Sequence, residues 1–414
     1  MRRLLRTYFP PLPRSVATLQ AGGLVNSFGN GTVIPFLFIY LHNERGIGVA
    51  VVGLIFATHA LVSMVAGSIF GSQIDRFGGK RMLGVSLAIL TVGYAAYALV
   101  HEPWQGFLVG ALSGIGVGGF WPSQSTLIAG LSSPEQRPAA FAMQRVVANV
   151  GIGLGALTGG FIAATGSFTA LFLLDAATFL VYGAVMLVLV PEPTTRNEAG
   201  AQGRTGSYRD VLRHRPFMAV IGLNALFIFA GFSLLEVLPV YAKNEGGLTE
   251  MQIGLVFFVY TVVVMLAQLP LVRFARGHRR MPALAFLGAL WASAWLLVPV
   301  AGSATPTAAF VLLAGAMMIF GVGLCLHGVV QAPLVADLAE PGLLGRYMAL
   351  SALSWQLGFT LGPAIGGIGL ALSPNGLWLG AAALCAIGGA IALLIEEALP
   401  QRARRTPVAA PASA

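Results

Sequence analysis

Charge is scarce in this chain: Asp, Glu, Lys and Arg make up 9% of its 414 residues, where a soluble domain carries roughly 25%. So little charge cannot cover a water-facing surface. With 57% of the residues hydrophobic, the outward side chains must meet lipid instead. Cysteine is scarce too. The two present, Cys325 and Cys385, lie inside apolar runs. This excludes a disulfide framework or cysteine metal cluster and leaves them as small packing residues. The net charge of +9 is no nucleic-acid signal, because the basic residues are scattered between apolar runs and form no continuous face. A P-loop, an HExxH zinc motif and a nucleophile elbow are all missing, so no cofactor, metal or enzymatic chemistry is expected.

Apolar length is abundant. A helix needs ~20 apolar residues to cross the hydrocarbon core. Candidate spans cover residues 16–41, 48–70, 82–100, 105–130, 139–164 and 168–190, then 217–242, 251–272, 281–301, 306–336, 342–371 and 375–395. The 53 glycines suit close helix packing in a bilayer. The polar stretch 191–216 reads as a solvated linker, and residues 208–215 can lie as a short amphipathic helix on the membrane surface. The basic N-terminus leads into a run too long for a signal-peptide core, so the first span is expected to be retained. Arg2-Arg3 lacks the apolar core and cleavage site of a twin-arginine signal. The expected organisation is all-α and integral to the membrane. Residues 1–190 form one six-helix bundle, 191–216 a linker, 217–399 a second six-helix bundle and 400–414 a disordered tail.

Basic residues set the topology. With alternate loops on opposite sides, all but Arg45 and Lys243 of the 24 Lys and Arg fall on the side of the N-terminus and linker. That side reads as cytoplasmic, with both termini inside. An odd number of spans would scramble this partition. The halves also repeat each other at a spacing of 207 residues. Gly114 and Gly116 match Gly321 and Gly323; Gln124 matches Gln331; Leu131 and Pro134 match Leu338 and Pro341. Gly151, Gly155, Gly159 and Gly160 match Gly358, Gly362, Gly366 and Gly367. This ungapped register across two spans and their connection indicates two pseudo-symmetric bundles.

Between the second and third spans the chain reads Gly71-Ser-Gln-Ile-Asp75-Arg76-Phe-Gly78-Gly79-Lys80-Arg81. A short loop reversing the chain uses glycine for unusual backbone angles, and Asp75 can accept from Arg76 or face a helix N-terminus. The segment resembles the signature loop of the major facilitator superfamily, G-x-x-x-D-R-x-G-R-[RK], through Gly71, Asp75, Arg76, Gly78, Lys80 and Arg81, with one extra glycine. The fifth span, with Arg145, Asn149, Gly151, Gly155, Ala156, Gly159 and Gly160, resembles the glycine-rich motif of the family's drug/proton antiporters, alanine standing in the usual place of proline. The eleventh keeps the proline in Gly362-Pro363-Ala-Ile-Gly366-Gly367. Helix packing alone or a special antiport role both fit these glycines. The resemblance covers essentially the whole chain. It implies a secondary transporter with a central substrate site between the halves, and a loop that latches them.

Charges inside spans are expensive and point to function. Glu236, beside Pro239, is the first candidate for a proton or cation site, since the resemblance places its helix along the central cavity. Asp175 is the second, and Arg145 either snorkels or pairs with an acid. His327 and His59 are further titratable candidates, or packed hydrogen-bonding residues. Asn26, Asn30, Trp121, Gln124, Asn224 and Gln331 supply polarity for a mixed polar–aromatic cavity. One departure weakens the link to protons: Gly110 stands where many proton-coupled relatives carry arginine. The expected function is alternating-access transport of a small molecule. Proton-coupled efflux of drug-like compounds stands first, nutrient uptake by symport or uniport second, and a non-transporting sensor or membrane enzyme third. The expected setting is the plasma membrane, multi-pass, as a monomer with lipid and a small substrate as partners and no nucleic acid.

Overall fold

The computed structural model describes residues 12–133, 135–192, 208–340 and 343–406. All twelve expected spans are helical: α1 (Arg14–Ile39), α2 (Val49–Phe77), α3 (Gly79–Tyr97), α4 (Pro103–Leu131), α5 (Arg137–Ala164), α6 (Phe168–Leu189), α7 (Arg215–Ala230), α8 (Glu250–Ala275), α9 (Arg280–Gly302), α10 (Pro306–Leu338), α11 (Leu344–Leu372) and α12 (Pro374–Ile395). A short helix, Tyr208–Arg213, precedes α7 where an amphipathic segment was expected. Ten of the helices are long and apolar enough to cross a membrane. The other two are α3, which opens on Lys80 and Arg81, and α4, which is rich in glycine and serine. Helices suit lipid because they satisfy their own backbone hydrogen bonds. The expected basic N-terminus, most of the linker, the tail beyond Thr406, Pro134 and Pro341 lie outside the described residues.

The chain divides into two compact units: Met1–Ala201 with Thr249–Thr261, and Gln202–Leu248 with Val262–Ala414. In the first, α1 packs on α5 and α6, and α3 on α4 and α6; in the second, α7 packs on α11 and α12, and α9 on α10 and α12. The same pairing recurs at the spacing the sequence repeat shows. Helix ends keep it too: α4 ends at Leu131 and α10 at Leu338, while α5 starts at Arg137 and α11 at Leu344.

The repeated glycines make these pairings. A Cβ at Gly151 would fall 2.6 Å from Ser27 Cβ of α1, and one at Gly155 would meet the Phe28 carbonyl and lie 2.8 Å from Gly31 Cα. In the second unit Gly358 meets Ile228, Gly362 meets Ser233, and Gly366 meets Leu234 and Val237. Gly155→Val is therefore expected to destabilise the first unit by about 1–3 kcal/mol or more, the usual result of overpacking. Thermal unfolding in detergent would show it, and an unshifted midpoint would refute the close-packing role.

Two expected boundaries move. The helix α2 runs on through Gly71, Asp75 and Arg76 to Phe77, so most of the signature segment is helical, and the turn narrows to Gly78 at φ +88°. Continuing the helix keeps its backbone bonded while Asp75 and Arg76 reach solvent. The seventh span, expected unbroken over 217–242, is interrupted. After α7 come Gly231, a 3₁₀ turn Phe232–Glu236, and a short helix Leu238–Asn244 with Pro239 in its first turn. The Trp291 ring occupies the space a Cβ would need at Gly231, and proline cannot donate to the preceding turn. The carbonyl freed at Ala230 accepts from Trp295 Nε1 at 3.0 Å, so the break leaves that group satisfied.

The expected loose tail is ordered at its start. A helical turn at Gln401–Arg404 leads to Thr406, whose N–H donates to the His278 carbonyl while its own carbonyl accepts from Gly277, each at 3.0 Å. These partners lie far away in sequence and cannot be read locally.

Candidate functional site

In the second unit, α7, α10 and α11 gather Asn224, His327 and Gln331. Asn224 Nδ2 donates to Ser354 Oγ at 2.6 Å, and its Oδ1 lies 2.8 Å from His327 Nε2. An amide oxygen only accepts, so His327 donates through Nε2. Its ring is 2% exposed, stacked on Trp291 at 6.1 Å and edged by Trp355 at 5.4 Å. This is a packed, hydrogen-bonded histidine. Gln331, one turn along α10, is also buried, and its Nε2 has no partner among the described residues.

Beside this core lies a more open face. Phe232 of the 3₁₀ turn meets Trp355 at 5.8 Å and Phe359 at 5.5 Å, both edge-on; all three are half-buried. Glu236 ends the same turn, half-buried, with no hydrogen bond or ion pair among the described residues. Half-open aromatic rings offer apolar and cation–π contact, and an unpaired carboxylate attracts positive charge. Phe232, Ser354, Trp355 and Phe359 escaped the sequence reading because aromatics and serine in a span look like ordinary packing.

The first unit uses its polar residues differently. Gln124 Nε2 donates to the Tyr182 hydroxyl at 2.8 Å, and Gln144 Nε2 donates to Gln124 Oε1 at 2.6 Å. Gln124 thus ties α4, α5 and α6 together inside the bundle. Asn26 and Asp175 are buried in the α1–α6 seam. Asn30 is half-buried, and Trp121 is exposed and edge-on to Phe120 at 5.3 Å. Arg145 is exposed and makes no ion pair among the described residues; Asn149 Nδ2 donates to its carbonyl at 2.9 Å. His59 is half-buried, its backbone against Gly114. An apolar cavity of about 350 Å³ between α1 and α5 is lined by Leu12, Gln20, Leu24 and Met143 among others, and holds none of the expected cavity residues. At Gly110 a Cβ would lie 3.3 Å from the Ile55 carbonyl oxygen. Helix contact with Ile55 fills the space beside Gly110.

In the signature segment Asp75 makes neither of its expected contacts: among the described residues it has no hydrogen bond or ion pair, and Arg76 lies over the Phe77 ring at 5.0 Å. The carboxylate at the start of α3 is Glu192, whose Oε1 would sit 2.6 Å from a Cβ at Gly78. There it faces the unpaired amides and positive end of α3. The second unit has its own clamp. Arg279 grips Glu396 through two bonds of 2.7 Å, and that carboxylate holds the guanidinium further above its ordinary range. Arg280, 1% exposed, reaches Asp337 Oδ2 at 2.6 Å and the Ala403 carbonyl at 3.1 Å. Both cysteines are free and buried.

The model of the Major Facilitator Superfamily matches residues 20–324 and 237–413. The chain belongs to that superfamily. Among similar proteins, "Uncharacterized MFS-type transporter YqjV" of Bacillus subtilis (strain 168) is 27% identical over 360 residues, spanning 85% of each chain. "Multidrug resistance protein MdtH" of Aeromonas salmonicida (strain A449) is 24% identical over 349 residues, 84% of this chain and 86% of that one. The same-named protein of Escherichia coli O1:K1 / APEC is 26% identical, spanning 81% of each. Two solved structures share the fold. A bacterial homolog to the human lysosomal transporter Spinster has a TM-score of 0.72 at 14% identity, covering 95% of this chain and 98% of its own. The nucleoside transporter NupG has a TM-score of 0.72 at 14% identity, covering 92% and 100%. The superfamily chain is thus a multi-pass membrane transporter and not an enzyme, with twelve membrane helices in two pseudo-symmetric sets.

Proposed function

We propose that this transporter exports amphipathic, cationic drug-like compounds by alternating access, driven by proton entry. The observation that carries the reading is Glu236: a carboxylate with no hydrogen bond or ion pair among the described residues, in the same 3₁₀ turn as Phe232, whose half-open ring meets Trp355 and Phe359. Such a group attracts a cation or takes up a proton, and the rings supply apolar contact. The names of the MdtH relatives agree with export of drugs. In this reading both termini face the cytoplasm, and the segment from Gly71 to Arg81 latches one stage of the cycle. The test is efflux of a lipophilic cationic dye from cells expressing the transporter, with and without a proton ionophore. Collapse of the gradient is expected to stop efflux; unchanged efflux would exclude proton drive. Gly110, packed against Ile55, favours a second reading of uniport or uptake. Counterflow in proteoliposomes, with its direction recorded, separates the two.

A further inference from the structure

We propose that Asp175 and Asn26 form a proton-binding site inside the first bundle, separate from Glu236 and from any substrate. Asp175 on α6 is 0% exposed and Asn26 on α1 is 2% exposed. Asp175 Oδ1 accepts from Thr178 Oγ1 at 3.2 Å, but its Oδ2 has no partner among the described residues, and neither does Asn26 Oδ1. The helix register puts them in one seam. Gly22 of α1 lies against the Tyr182 ring, and Gly29 against the Asp175 carboxylate and Thr178. Asn26 stands between these glycines on the same face, at the four- and three-residue spacing that aligns side chains.

Two acceptor oxygens cannot bond each other. One proton on Asp175 turns its Oδ2 into a donor and satisfies both at once. Turning the Asn26 amide over supplies a donor but leaves the carboxylate charge uncompensated in an apolar bundle. Among the described residues no cation faces this seam. The groups that titrate around it are phenols: Tyr40 just after α1, Tyr94 and Tyr97 on α3, which meet Phe179 and Phe172, and Tyr182 on α6 itself. Lys80 and Arg81 lie about 20 Å along α3 from Tyr94. Arg145 on α5 is exposed and about 15 Å along its helix from Gly155, which meets Phe28. A metal cation would need more oxygens than Asp175, Asn26 and Thr178 provide. The site needs no substrate, so it stands apart from the export reading.

The test compares thermal unfolding of purified wild type and Asp175→Asn across pH, in sodium-free and sodium-containing buffer. A proton held in the folded state and released on unfolding makes stability fall as pH rises. The wild-type midpoint is expected to drop by several degrees towards alkaline pH relative to Asp175→Asn, whose amide is a permanent donor. Both proteins share every other titrating group, so the difference belongs to Asp175. Parallel profiles would overturn the proposal. So would sodium stabilisation of wild type at fixed pH that the variant lacks, which would assign a metal cation instead. Should Asp175→Asn fail to accumulate, Asn26→Ala removes the acceptor, and the drop is expected at lower pH than in wild type; an unmoved drop would equally overturn it.

Discussion

Replacing Glu236 with glutamine is expected to lower gradient-driven dye efflux by about tenfold or more, while yield and thermal stability stay near wild type. The two halves of this expectation rest on different facts. Glutamine has nearly the same volume, so the 3₁₀ turn Phe232–Glu236 keeps its packing. The carboxylate makes no bond among the described residues that its loss would break. Loss of stability would mean a structural role. A tenfold loss of rate corresponds to about 1.4 kcal/mol, well within what one carboxylate supplies to a bound cation or proton at low dielectric. Counterflow without a gradient splits the roles further. If Glu236 carries the proton, substrate exchange survives in Glu236→Gln. If it binds the substrate's charge, exchange falls with efflux. Wild-type efflux in the variant would remove Glu236 from the mechanism.

Much of this architecture is legible in the sequence, because lipid allows few alternatives. Apolar length marks helices, and the 207-residue register anticipates that α5 packs on α1 as α11 packs on α7. What stays hidden depends on contacts between distant residues. Pro239 is a local signal for the break after α7, but the Trp291 ring that covers Gly231 comes from a distant part of the chain. Gln124 reads as a cavity residue by its polarity, yet its hydrogen bonds run to Tyr182 and Gln144. Asp75 was expected to accept from Arg76 or face a helix N-terminus; at the start of α3 the carboxylate is Glu192, from the far side of α6. For the aromatic face, composition gives no means of telling which rings meet; the broken turn brings Phe232 against Trp355 and Phe359.

The unevenness of the Arg280–Asp337 pair decides the largest expected loss of stability. The Arg280 side chain is 0% exposed and that of Asp337 36%. Removing the partly wetted acid leaves a fully buried guanidinium, whose Nε already lacks a partner among the described residues, with only the Ala403 carbonyl to hold it. Breaking a buried pair from that side costs about 3–5 kcal/mol, so Asp337→Ala is expected to lower the unfolding midpoint strongly. Removing the arginine instead leaves Asp337 with access to water, and Arg280→Met keeps most of the buried volume. Arg280→Met is therefore expected to cost markedly less than Asp337→Ala. Deleting the chain after Pro400 takes away the Ala403 carbonyl and the pairing of Thr406 with Gly277 and His278. It is expected to fall between the two, since Asp337 still neutralises the charge. Thermal unfolding of the three variants gives the order directly. If Arg280→Met proves as damaging as Asp337→Ala, the uncompensated buried charge is not the cause, and the clamp acts through packing alone.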